Sequence, residues 1–220
     1  MKNFSLEGVV RSNFGKQAAR DMRKEGLIPA VLNGGKTVEL PFEGTLLPGE
    51  KIVPLKDGKR GIIVTEFSVS PDAVRNLIYT PNIYAIDLTI GEKKVKAILK
   101  DLQFHPVKDT ILHLDFLQVE ENKPVVMEVP VQLEGLAEGV RAGGKLALQI
   151  RKLKVKACYE AIPERLVIDV TPLGLGKTIK VGELSYEGLE LINAKDAVVC
   201  AVKLTRAARG AQAAAAAGKK

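Results

Sequence analysis

Residues 125–204 hold five short segments in which apolar and polar side chains alternate: VVMEVPVQL, LQIRKLKVKACY, RLVIDV, KTIKVGEL and AVVCAVKL. Alternation with a period of two gives an extended chain one apolar face and one polar face, a division that a helix of 3.6 residues per turn cannot exploit. Glycine and proline turns separate the segments, so this half of the chain is confined to a nearly all-β domain.

The preceding 120 residues mix the two periodicities. FSLEGVVR (4–11) reads as a strand, and GKQAARDMRKEG as a helix with Gly26 as its C-cap and Pro29 beyond. IPAVLNGGK is an apolar strand running into a glycine turn. IIVTEFSV is a further strand, and SPDAVRNLI a short helix with Ser70 as N-cap and Pro71 at its first position. YAIDLTI and KVKAILKDLQF form a hairpin across GEKK. Residues 43–61, rich in Gly, Pro and Lys, read as an inserted surface excursion carrying a small hairpin. A boundary falls near VEENKPV (119–125), dividing the chain into 1–120 and 124–205. The alanine-rich end from 206 cannot build a core and is expected to be a disordered basic tail.

Two of these regions carry the whole charge excess of +7. Residues 203–220 have five basic side chains and no acid, and residues 1–123 have eighteen basic against sixteen acidic. Residues 124–202 balance at ten each. A local patch plus a tail points to a polyanionic partner. No apolar run is long enough to span a bilayer and MKNFSLEGVV contains no apolar signal region, so a cytoplasmic protein without membrane contact is expected. Cys158 and Cys200 have no CxxC neighbour and are expected as buried small apolar residues in a reducing compartment.

Catalytic motifs are sparse. GVRAGGKL (139–146) has the spacing of a phosphate loop, but Leu146 replaces the Ser or Thr that holds magnesium. LGLGKT (173–178) ends correctly, but Thr171 replaces the first glycine. Both lie between β-like segments, whereas a phosphate loop opens a helix. There is no GxSxG elbow and no cysteine–histidine pairing. His105 and His113 alone cannot make a metal site. The expectation is no enzyme, no catalytic residue, no metal and no cofactor.

The basic patch is more specific. On a helix over 16–25, Lys16, Arg20 and Arg23 fall at i, i+4 and i+7 and form one cationic stripe, with Ala18, Ala19 and Met22 available for packing. By itself this is also what a solvated helix face looks like. The following glycine turn, with Lys36, adds bare backbone able to approach a phosphate. In ILHLDFL (111–117), Leu112, Leu114 and Phe116 share one face of a strand and His113 and Asp115 the other.

Three stretches, VVRSNFGKQAARDMRKEGLIPAVLNGGK, KAILKDLQFHPVKDTILHLDFLQV and VPVQLEGLAEGVRAGGKL, in this order and spacing, resemble one family. It is the bacterial large-subunit ribosomal protein family that binds 5S ribosomal RNA, number 25 of that subunit, in its long general-stress or CTC form. The resemblance spans nearly the whole chain apart from 43–61 and the tail. It implies a mainly β fold with a few short helices: an N-terminal RNA-binding β-barrel and a second all-β domain. It implies RNA contacts at Arg11, at the end of the first strand, at Arg23 of the helix, and at the pair His113 and Asp115. Lys16, Arg20 and Gln103 sit where further contacts are expected. Asn33 stands where the family carries a tyrosine, so it can hydrogen-bond to RNA but not stack.

The partners so implied are 5S ribosomal RNA and the large ribosomal subunit, with neighbouring ribosomal proteins reached through the second domain. An aspartate repels phosphates, so a carboxylate within a basic surface fits a ribose, base edge or neighbouring side chain better. The alternative from another class is a stress-related protein-interaction module whose RNA contact is incidental.

Overall fold

The computed structural model describes residues 2–208 apart from 36, 43, 56, 58, 121, 122 and 207. They divide into two compact units, with the boundary between Lys123 and Pro124.

The first unit contains β1 (Lys2–Val10), α1 (Lys16–Lys24), β2 (Ile28–Asn33), β3 (Thr37–Glu39), β4 (Glu50–Pro54), β5 (Arg60–Val69), α2 (Pro71–Ile78), β6 (Tyr84–Ile90), β7 (Lys93–Phe104) and β8 (Ile111–Gln118). Strands run in the order β1-β6-β7-β8-β2-β5, and pairing of β1 with β5 through Val9–Ser68 and Val10–Phe67 closes a six-stranded barrel. Inside it, Leu6, Phe67, Ile86, Leu88, Leu114 and Phe116 are fully buried. Phe67 and Phe116 meet with ring centroids 5.7 Å apart. Closure leaves Gly8 no space for a side chain, because a Cβ there would strike the Phe67 ring.

Both expected helices form for the expected reasons. Gly26 takes a left-handed φ of 80° while its N–H donates to Arg23 O and that of Leu27 to Met22 O, which ends α1 in a Schellman turn. Ser70 Oγ accepts the Ala73 N–H at 3.3 Å to cap α2, with Pro71 in its first turn. Within the segment 43–61, Glu50–Pro54 forms a hairpin strand that joins the barrel edge. β4 pairs antiparallel with β5 from Glu50–Thr65 to Pro54–Gly61, and Lys93 Nζ donates to the nearly buried Glu50 carboxylate at 2.9 Å.

The second unit holds β9 (Val125–Glu134), α3 (Glu138–Arg141), β10 (Lys145–Leu148), β11 (Lys152–Ala157), β12 (Leu166–Asp169), β13 (Thr178–Lys180), β14 (Glu190–Leu191) and β15 (Val198–Lys203). They form a four-stranded sheet, β12-β9-β11-β14, and a three-stranded sheet, β10-β15-β13. On β11 the alternation is clean: Leu153, Val155 and Ala157 are buried and Lys152, Lys154 and Lys156 exposed. The parallel pairing of β9 with β12 has no counterpart in the sequence reading. Neither phosphate-loop lookalike opens a helix; they run from α3 into β10 and through a turn into β13.

Two expectations are corrected here. Cys200 is buried, but Cys158 is exposed, and both thiols are free. Order also persists into the segment expected to be tail: Thr205 Oγ1 donates to Gly143 O at 2.6 Å and accepts the N–H of Ala208, which is buried. Residues 209–220 lie outside the described residues.

Candidate nucleic-acid interface

Three neighbouring strands build the outer face on which the predicted polar residues meet. Leu114 and Phe116 of β8 point into the barrel at zero exposure, so His113 and Asp115 point outward. Leu112 is only half-buried, at the end of the core row. Antiparallel pairing sets Gln103 of β7 directly opposite His113, and Asp101 opposite Asp115. On the other side of β8, parallel β2 aligns Val31 with Asp115 and Asn33 with Leu117, while Leu32 turns inward. His113 Nδ1 and Asp115 Oδ1 lie 3.4 Å apart, both about a quarter exposed. The face thus offers an imidazole, an amide and carboxylates at strand spacing, a mixed set of donors and acceptors.

The cationic stripe borders this face. Lys16, Arg20 and Arg23 are exposed, while Ala18, Ala19 and Met22 are half-buried on the side of α1 that packs toward β2. Arg23 Nε donates to Leu112 O at 3.0 Å, so the C-terminal end of α1 is fastened to β8 one residue before His113. The single acid within the helix is occupied: Asp21 accepts from Lys24 Nζ at 2.8 Å and from Gln17 Nε2 at 3.2 Å. The Lys24 hydrogen bond holds the Asp21 carboxyl below the usual range. Among the described residues, Lys16 and Arg20 have no ion-pair partner, so their charge faces outward unneutralised.

Arg11, where the resemblance implies an RNA contact, is enclosed rather than presented on the surface. Its side chain is 6% exposed and its Nη1 donates to Glu66 Oε2 at 3.1 Å, while Nη2 donates to Asn13 O. A guanidinium so enclosed and paired secures the end of β1 to β5. Nothing in the residue sequence marked Glu66 as its partner, since they are 55 positions apart. The glycine turn also has a packing reason. Gly34 needs its left-handed φ of 89°, and a Cβ on Gly35 would collide with Ile63 O of β5. Lys36 lies outside the described residues.

No three His, Cys, Asp or Glu side chains among the described residues come together in a group able to hold a metal ion. Among the same residues no helix is long and apolar enough to cross a membrane.

Comparison with known families assigns each unit to a model. Residues 6–47 and 57–116 match the ribosomal L25p family, and residues 124–206 match the ribosomal protein TL5 C-terminal domain. The class is therefore that of two-part β-rich ribosomal proteins. The gap in the first match, 48–56, falls inside the segment that the sequence singled out as foreign to the family pattern. Full-length relatives narrow the class further. Large ribosomal subunit protein bL25 of Phocaeicola vulgatus is 62% identical over the whole of both chains. The protein of that name from Bacteroides fragilis is 58% identical over the whole of both, and that from Porphyromonas gingivalis is 59% identical over 96% of this chain and 97% of its own. The chain belongs to the bL25 family of large ribosomal subunit proteins, in its long form.

Proposed function

We propose that the chain is a structural, non-enzymatic constituent of the large ribosomal subunit in the cytoplasm, and that its first unit grips 5S ribosomal RNA. Membership of the bL25 family supports the ribosomal role. The RNA reading rests on one observation: an unneutralised cationic helix is fastened by Arg23 to the strand that carries His113 and Asp115. Lys16, Arg20 and the free end of Arg23 engage phosphates, with Lys36 as a further candidate. Gln103, His113, Asp115 and Asn33 meet base edges and ribose hydroxyls in the wide, shallow minor groove of paired RNA. Arg11 acts behind this surface by holding β1 to β5. The second unit serves neighbouring ribosomal proteins.

The test is a competition gel shift with the full chain, labelled 5S ribosomal RNA and an unrelated RNA duplex of equal length. Preferential retention of 5S ribosomal RNA in excess duplex is the expected result. Equal competition by the duplex would reduce the surface to a general polyanion binder.

A further inference from the structure

A second cationic site opens beside the proposed interface. A cleft of about 680 Å³ lies between the end of α1, helix α2 and the turn joining β7 to β8. Arg23, Arg75, Tyr79 and Lys108 line it, with Ile28 and Ile111 among its apolar walls. Tyr79 is 61% exposed at the end of α2, and its ring lies 6.2 Å from that of Phe104, itself 41% exposed. The turn wall is held in shape from within. His105 Nδ1 accepts the N–H groups of Val107 and Lys108, the His105 N–H donates to Thr110 O, and Asp109 takes a left-handed φ of 51°. Three cations face two carboxylates, Asp72 and Asp109, and one of these sits in the first turn of α2 where the helix dipole already favours it. Arg75 and Lys108 make no ion pair among the described residues.

We propose that this cleft binds a single unpaired nucleotide of RNA, with its base against the Tyr79 ring and its phosphate between Arg75 and Lys108. The inference rests on the RNA-binding reading above and extends it to a different RNA element. Unpaired bases are recognised by stacking on exposed aromatic rings and arginine planes, whereas a paired helix keeps its bases inside and cannot enter such a cleft. The volume falls within the range of ordinary small-ligand sites, roughly 300–1,000 Å³. Arg23 belongs to both surfaces, so an RNA lying along α1 can turn one everted nucleotide into the cleft without leaving the cationic track.

The probe is fluorescein-labelled hexauridylate, titrated by anisotropy against the full chain. Saturable binding is expected, weakened about tenfold by Tyr79→Ala and retained by Tyr79→Phe. Tyr79→Leu, which keeps an apolar contact with Phe104, should lose as much as Tyr79→Ala, separating stacking from packing. Arg75→Ala should weaken binding and flatten its salt dependence. Lys156→Ala, at an exposed position of the second unit, should leave hexauridylate binding unchanged. Equal affinity of the unmodified chain and Tyr79→Leu, or no saturable binding, would overturn the proposal. If 5S ribosomal RNA still bound preferentially in that case, the main interface would stand and the cleft would pass to a protein neighbour. Loss of the 5S preference with the Tyr79 dependence intact would instead overturn the proposed function alone.

Discussion

In the second unit two of the three lysines of β11 stand beside carboxylates of their neighbours, Lys154 with Glu128 at 3.9 Å and Lys156 with Glu190 at 3.0 Å, and Lys180 lies 3.5 Å from Asp196. In the first unit, Lys16 and Arg20 of α1 are exposed with no ion-pair partner among the described residues, although the same unit pairs Arg11, Lys24, Arg60 and Lys93 internally. Exposed pairs of this kind contribute little to stability, with a median of about 0–1 kcal/mol. Their effect is to flatten the local field, and leaving a stripe unpaired keeps a field that a polyanion can use. A cation's neighbours therefore say more about its role than its presence does.

The comparison breaks most visibly if the two units do not melt separately. Phe116→Ala empties a fully buried position against Phe67 and should cost the barrel roughly 3–5 kcal/mol. A denaturant titration followed in both units should show the first transition moved and the second unchanged. A common shift would mean one shared core.

Arg11→Ala comes next. It strands the Glu66 carboxylate in a largely enclosed position, and breaking such a pair costs about 3 kcal/mol. The expected outcome is a lower melting temperature with an unchanged salt slope for RNA binding. A stable variant with weakened, less salt-dependent binding would return Arg11 to the phosphate contacts.

Asp115→Ala should do the reverse. It fills no core space, so the melting temperature should hold, while RNA affinity falls by about 1–3 kcal/mol if a base-edge contact is lost. Destabilisation with intact affinity would show that Asp115 serves only to hold His113.

The smallest effect concerns the two thiols of the second unit. Burial pushes the Cys200 thiol above its ordinary range, while Cys158 is exposed. Under native conditions a thiol reagent should modify Cys158 promptly and Cys200 only on unfolding. Two fast thiols would indicate that the β10-β15-β13 sheet opens readily.

Much of this was legible in the sequence where the signal is local. Gly26, Ser70 and Pro71 mark helix ends by their own conformational and hydrogen-bonding needs, and KLKVKA displays its buried and exposed faces residue by residue. The outward direction of His113 and Asp115 followed from the apolar residues beside them. What escaped was pairing at a distance. Strand periodicity says nothing about the partner strand, so the parallel pairing of β9 with β12, the register of Gln103 with His113, and the Glu66 partner of Arg11 could not be read. Gly34 and Gly35 read in the sequence as open backbone for a phosphate because Ile63, whose carbonyl excludes a side chain at Gly35, lies 28 residues away. Tyr79 and Lys108 carry no local mark in the sequence for the same reason, since their cleft exists only once α1, α2 and the β7–β8 turn converge.

The central claim, that unpaired cations of α1 hold RNA phosphates while paired cations of the second unit do not, is tested most directly by matched charge removal. Arg20→Ala and Lys156→Ala each delete one positive charge from an exposed position. In salt titrations of the full chain with 5S ribosomal RNA, Arg20→Ala should weaken binding and lower the slope of log affinity against log salt by about 0.7 to 0.9. Lys156→Ala should change neither. Equal losses in the two variants, or an unchanged slope for Arg20→Ala, would contradict the account.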